Sequence, residues 1–303
     1  MGAEPLPQSR LVSNPTVGSP EGPALVPTPA GVRAEQDRFL REKFDGAALF
    51  LAGPANVVMQ LSWLEIGRGV AESPVESGQV FKHPLKRYRT TIGYLAIATF
   101  GSDDLRMAYR QAVNSAHRPI RSGPDSPVKY NAFNRDLQLW VASCIYYGAR
   151  DVITRMNGPL TDEEELLLLQ ASSRYATTLQ VPEEMWHRDM AAFWDYWEAG
   201  LERAEMDDVT GSYLRALVEF KFMAKPLQPL LRPFSWANVG FLPQELRDHL
   251  DLDWTDRDQR RHDLMLKTLK LIGRPLPSSI RLLPLTSMMW NIQLRRRLGR
   301  PLV

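Results

Sequence analysis

The chain of 303 residues has a single cysteine, Cys144. One thiol excludes an intramolecular disulfide framework and any zinc or iron–sulfur site built from several cysteines, and it suits a reducing cytoplasm. Excess charge of one sign is also scarce. The 37 lysines and arginines stand against 35 acids, a net of +2, without the clustered basic excess of a nucleic-acid-binding surface. Long hydrophobic runs are missing too. Residues 47–64 are interrupted by Pro54, Asn56, Gln60 and Ser62. Residues 90–101 are too short to cross roughly 30 Å of hydrocarbon. Both stretches read as buried core helices, so no transmembrane segment is expected. Residues 1–29 lack a basic start followed by an apolar run, and no secretory leader is expected there. Strand alternation bounded by turn residues is absent, as is a glycine-rich phosphate loop, which sets aside the α/β nucleotide-binding folds.

What is present is helical periodicity at ordinary globular composition, 44% hydrophobic and 24% charged. Residues 1–32 carry seven prolines, four glycines and no aromatic residue. Such a stretch buries too little apolar surface to offset its ordering entropy, and a disordered tail is expected. Residues 33–303 then form one all-α domain. Leu105, Ala108, Tyr109, Ala112, Val113 and Ala116 recur at steps of three and four, with Ser102 as N-cap and Pro119 as stop, so one amphipathic helix ends at His117. Thr161 with Glu164, and Thr255 with Asp258, open two further helices, the second closed by Gly273. The aromatic set Trp186, Phe193, Trp194 and Trp197 is expected to pack in the core rather than to wall a substrate cavity.

Five histidines are available: His83, His117, His187, His249 and His262. None forms an HExxH pair or sits beside the carboxylates of a facial iron triad. His117 follows Val113 by four residues and Tyr109 by eight, which turns its ring to the apolar face of its helix. Two readings fit a neutral imidazole in that position. One is a core histidine bonded to a backbone carbonyl; the other is an axial haem ligand.

A series of short motifs runs from Gly53 to Val141. It begins at Gly53-Pro54-Ala55 with Gln60 and continues through Gly69-Val70-Ala71-Glu72-Ser73. Pro84-Leu85-Lys86-Arg87-Tyr88-Arg89-Thr90-Thr91 and Phe100-Gly101-Ser102 follow. Then come His117-Arg118-Pro119-Ile120-Arg121-Ser122-Gly123, Tyr130-Asn131-Ala132 and Leu139-Trp140-Val141. In order and spacing, over about residues 52–200, the sequence resembles the catalytic domain shared by bacterial rubber oxygenases (latex clearing proteins) and mpaB-type oxygenases. The resemblance implies a globin-like helical domain around haem b, with His117 as the proximal iron ligand. It places Arg87 and Thr91 in the pocket, and as i and i+4 on a helix they share a face. Arg121, four residues beyond His117, is a candidate partner for a haem propionate, because an arginine fork matches a carboxylate bidentately, with a rim salt bridge as the other reading. Glu72 is the implied distal-side base, with a plain surface glutamate as the other reading. The implied reaction is oxidation of an apolar isoprenoid, lipid or secondary metabolite with O2.

The chain departs from that pattern at several positions. Trp63-Leu64 stands where many relatives have His-Pro, Glu72 where they have a histidine, and Ala142 where a histidine follows Trp-Val. Thr90 replaces the lysine that rubber oxygenases place before the family threonine. These losses leave room for a rival expectation, a haem-free helical protein that binds a lipid or a partner. Residues 264–303 hold eight lysines and arginines and no acid. Peripheral contact with an anionic membrane and a solvated basic terminus both account for that segment.

Overall fold

The computed structural model describes residues 22–75 and 79–303. Among them the regular structure is helical, with one isolated antiparallel bridge between Arg121 and Asn131 and no named strand. The all-α expectation holds. The order opens with α1 (Ala30–Lys43), α2 (Gly46–Leu61) and α3 (Leu64–Ala71), followed by α4 (Pro84–Phe100) and α5 (Asp103–His117). Next come α6 (Arg135–Asn157), α7 (Asp162–Thr177), α8 (Met190–Glu202), α9 (Asp208–Val218), α10 (Gln228–Val239) and α11 (Gln244–His249). α12 (Asp256–Gly273), the short α13 (Ser278–Arg281) and α14 (Leu285–Arg297) complete it. Among the described residues no single helix is long and apolar enough to cross a membrane; α1 and α2 pass that test only as a pair, bent by 92°.

The expected caps are in place. The Thr161 hydroxyl accepts from the Glu164 N–H while the Glu164 carboxylate accepts from the Thr161 N–H, and Thr255 and Asp258 repeat the arrangement at α12. Ser102 caps α5 by accepting from the Leu105 N–H, and α5 ends at His117 as expected. Such caps satisfy donors that would otherwise be left without a partner and contribute about 1 kcal/mol each.

α2 is the central element and packs most extensively on α6, with α9 and α10 also against it. Pro54 lies inside α2, where it removes one helical donor. The neighbouring Ala55 N–H donates to Asn238 Oδ1 on α10 (3.3 Å), which ties the two helices where proline loosens the ladder. Around α6 the aromatic residues stack. Trp63 lies on Trp140 (centroids 4.7 Å), Trp140 on Trp197 (5.2 Å) and Trp197 on Tyr147 (4.0 Å). The indole N–H groups of Trp63 and Trp140 donate to the Gly200 and Met59 carbonyls. Gly200 is required here, because a Cβ would sit 2.1 Å from Trp140 Cζ3. Trp186, Phe193 and Trp197 are buried, in keeping with the core reading, while Trp194 is half-buried under the Arg150 guanidinium.

One feature differs from expectation. Residues 1–21 of the expected tail lie outside the described residues, but residues 22–32 join the fold. α1 starts at Ala30, and the Pro23 carbonyl accepts from Arg110 Nη1. The reason lies in α5, whose supposedly polar side buries Arg106 and Arg110. Arg106 donates to Thr177 and Thr178 beside α7 and pairs with Asp103, while Arg110 donates to the Thr177 carbonyl. A buried guanidinium needs acceptors, and the segment around Pro23 supplies one.

Candidate functional site

The candidate site is built where α4 meets α5. Pro84 occupies the first turn of α4, where its missing N–H costs nothing. Arg87 and Thr91 follow one turn apart, both half-buried. The Thr90 hydroxyl donates back to the Arg87 carbonyl (3.0 Å), so this threonine is spent on its own helix. On α5 the Tyr109 hydroxyl donates to the Thr90 carbonyl (2.8 Å). Gly93 allows that approach, since a Cβ there would meet Tyr109 Oη at 2.8 Å. Tyr109 therefore fixes α5 against α4, and His117 projects two turns further along.

His117 is half-buried, and its pKa is pushed from 6.5 down to about 4, first by desolvation and then by the Arg87 guanidinium. Arg87 is likewise half-buried, with its pKa lowered by desolvation while Tyr213 of α9 and Tyr109 oppose the shift. Both side chains are partly accessible, yet the surrounding protein disfavours their charged forms. Phe81 stands edge-on to Tyr213, which acts on Arg87, and to Phe222 (centroids 5.2 and 6.2 Å).

The hydrogen bonds separate His117 from the other histidines. His262 Nε2 lies 3.0 Å from the Ala237 carbonyl, the bonded core histidine of the alternative reading. His187 Nε2 lies 2.8 Å from Ser143 Oγ, and His249 Nδ1 lies 2.8 Å from the Glu245 carbonyl. His83 is exposed at the start of α4. Neither ring nitrogen of His117 has a hydrogen-bond partner among the described residues. On another side of α4, Arg89 Nη1 is buried without a partner among the described residues. Arg89 and Arg295 of α14 both act on Tyr109, whose hydroxyl is nevertheless pushed upward by burial.

The other expected residues lie apart. Arg121 is exposed on the loop beyond Pro119, its backbone bridged to Asn131. Glu72 caps the end of α3, where Arg68 donates to its Oε1 (3.1 Å) and the Tyr130 hydroxyl to its Oε2 (2.9 Å). Arg68 also pairs with Asp207, so Glu72 belongs to a surface cluster of its own. Trp63 and Ala142, positions at which the chain departs from the pattern it resembles, are buried in the core. The Ser143–His187 pair and the Arg89–Arg295 approach escaped the sequence reading, because their members are 44 and 206 positions apart with no motif between them.

Among the described residues, no group of three or more His, Cys, Asp or Glu side chains is placed to hold a metal ion. A cofactor that brings its own metal ligands asks for less, and one free imidazole would serve it. Two depressions lie elsewhere on the surface. One, of about 310 Å³, runs between Arg41, Phe100 and Trp290; the other, of about 360 Å³, lies along α12 around Met265.

The family model described as "ER-bound oxygenase mpaB/B'/rubber oxygenase, catalytic domain" matches residues 41–271, which include Arg87, Thr91, Tyr109 and His117. An uncharacterized protein of Mycobacterium bovis and one of Mycobacterium tuberculosis are each 42% identical over 250 residues, 82% of this chain and 98% of the relative. No solved structure matches significantly. With three quarters of its length inside that match, the chain belongs to the mpaB/rubber oxygenase catalytic-domain family.

Proposed function

We propose that the chain is a haem b-dependent oxygenase that oxidises an apolar isoprenoid, lipid or secondary-metabolite substrate with O2. The observation that carries this reading is His117, a neutral imidazole without a hydrogen-bond partner among the described residues, beside Arg87. A porphyrin supplies four nitrogens to its iron and needs from the protein one free imidazole, an enclosed wall and cations for its propionates. The residues present fit those needs. His117 offers the nitrogen, and its depressed pKa keeps a proton from competing for it near neutral pH. Arg87 and Thr91 line the same side of α4. Arg121 is the cation proposed for a propionate, since an arginine fork matches a carboxylate, and Arg87 adds a second cation beside His117.

When bound, haem supplies a redox-active iron for activating dioxygen. The chain's own contribution is to hold and enclose. Tyr109 keeps His117 and Arg87 in register, while Phe81, Tyr213 and Phe222 present apolar area to a hydrocarbon substrate. Glu72 enters the proposal only through the Tyr130 hydroxyl that it holds, since Arg68 and Tyr130 occupy its two oxygens. An all-helical enclosure around one axial histidine is the sense in which the domain is globin-like.

The rival, a haem-free helical lipid- or partner-binding protein, draws on Trp63 and Ala142, which put buried apolar groups where relatives carry histidine. Haemin titration of the purified chain separates the two readings. A Soret band should appear at one equivalent and collapse in His117→Ala, with partial recovery on adding free imidazole. His83→Ala, His187→Ala, His249→Ala and His262→Ala should each keep it. No haem uptake by the wild-type chain would leave the rival standing, and loss of the band in one of these four instead of His117→Ala would move the ligand.

A further inference from the structure

The end of α12, the turn at 274–277, α13 and α14 form one exposed face. Contacts with the α1–α2 junction hold these parts together. Gly273 lies against Asp45 and Arg281, while Gly46 lies against the Leu283 carbonyl. The Arg281 guanidinium donates to the carbonyls of Arg41, Glu42 and Phe44. Arg41 in turn lines the groove beside Trp290. On this face Leu271, Ile272, Leu276, Ile280, Leu283 and Trp290 are all exposed, Leu271 at 74% and Trp290 at 66%. Scattered exposed leucines are ordinary, but six large apolar groups on one connected face are not.

Charge singles out an occupant. Residues 264–303 hold eight cations and no acid. Among the described residues Lys267, Lys270, Arg274, Arg296, Arg297 and Arg300 form no ion pair. We propose that this face docks on an anionic lipid surface, with Leu271, Ile272 and Trp290 entering the interface and the flanking cations meeting the headgroups. A lipid interface offers both apolar depth and negative charge, which is what such a face needs. A second copy of the chain fits poorly, because an isologous contact would set this cationic face against itself. The docking is peripheral, since no single described helix is long and apolar enough to span a bilayer. Most of the face lies beyond the family match, which stops at residue 271.

The test uses the full chain in co-sedimentation with vesicles of phosphatidylcholine plus phosphatidylglycerol, and with vesicles of phosphatidylcholine alone. Binding is expected to the mixed vesicles only and to weaken with salt. Arg296→Gln with Arg297→Gln should lower the partition coefficient about tenfold or more, because each cation at an anionic surface is worth roughly fivefold. Leu271→Ser with Ile272→Ser should also lower it, even at low salt. These side chains are exposed, so the melting temperature and haem uptake should stay at wild-type values, and the proposal stands apart from the haem reading. Absence of binding to the mixed vesicles, or equal binding by both double variants, overturns it. A concentration-dependent dimer that Leu271→Ser abolishes would give the face to a second copy instead.

Discussion

At the scale of single residues, the site turns on the pairing of His117 with Arg87. A fixed cation beside an imidazole raises the cost of protonating it, so Arg87→Met should bring the His117 pKa of the haem-free chain up from about 4 toward 6.5. Following the ring protons by NMR through an acid titration checks this, and an unmoved midpoint would mean that burial alone sets the value. The helix that ends at His117 was legible, since the three-and-four spacing from Tyr109 and the Ser102 cap mark it. That Arg87 would face it was legible only through the resemblance, because 30 residues and a helical turn-back separate them. Arg106 and Arg110 were not legible at all. Arginine on an amphipathic helix ordinarily marks the solvent side, and nothing local announces that α7 and the Pro23 segment supply acceptors there.

At the scale of elements, caps and periodicity carried most of the information. Ser102, Thr161 and Thr255 each open a helix, as their side-chain chemistry dictates. The start of the folded chain was misjudged, because proline and glycine content measures how little a segment can bury and says nothing of what its carbonyls can accept. Chains beginning at residue 20 and at residue 33 should therefore differ in stability. The shorter one leaves a buried arginine N–H without its Pro23 acceptor and removes the first turn of α1. A hydrogen bond to a charged group is worth about 2 kcal/mol, which in a domain of this size lowers Tm by a few degrees. Coincident thermal transitions would show that the Pro23 contact contributes nothing.

Across the whole molecule, three partly or fully enclosed histidines set an acid response. His117, His187 and His262 all have their pKa lowered from 6.5 to about 4, with desolvation as the largest cause. Between those values the unfolded chain binds protons that the folded chain refuses. The stability they protect is complete above about pH 6.5 and declines as pH falls toward 4. Asp151, raised by burial, works the other way, while Glu164, Asp207 and Asp258 have lowered pKa values and act below that window. The urea midpoint of the haem-free chain should thus drop across that range, and a flat profile would refute the shifts. The aromatic column through the centre has an optical consequence. Indoles stacked face to face at 4.7 and 5.2 Å couple their electronic transitions, so the circular dichroism of this protein carries an aromatic couplet superposed on its helical bands. Gly200→Ala, whose methyl would displace the Trp140 ring, should flatten that couplet while leaving the helical bands in place.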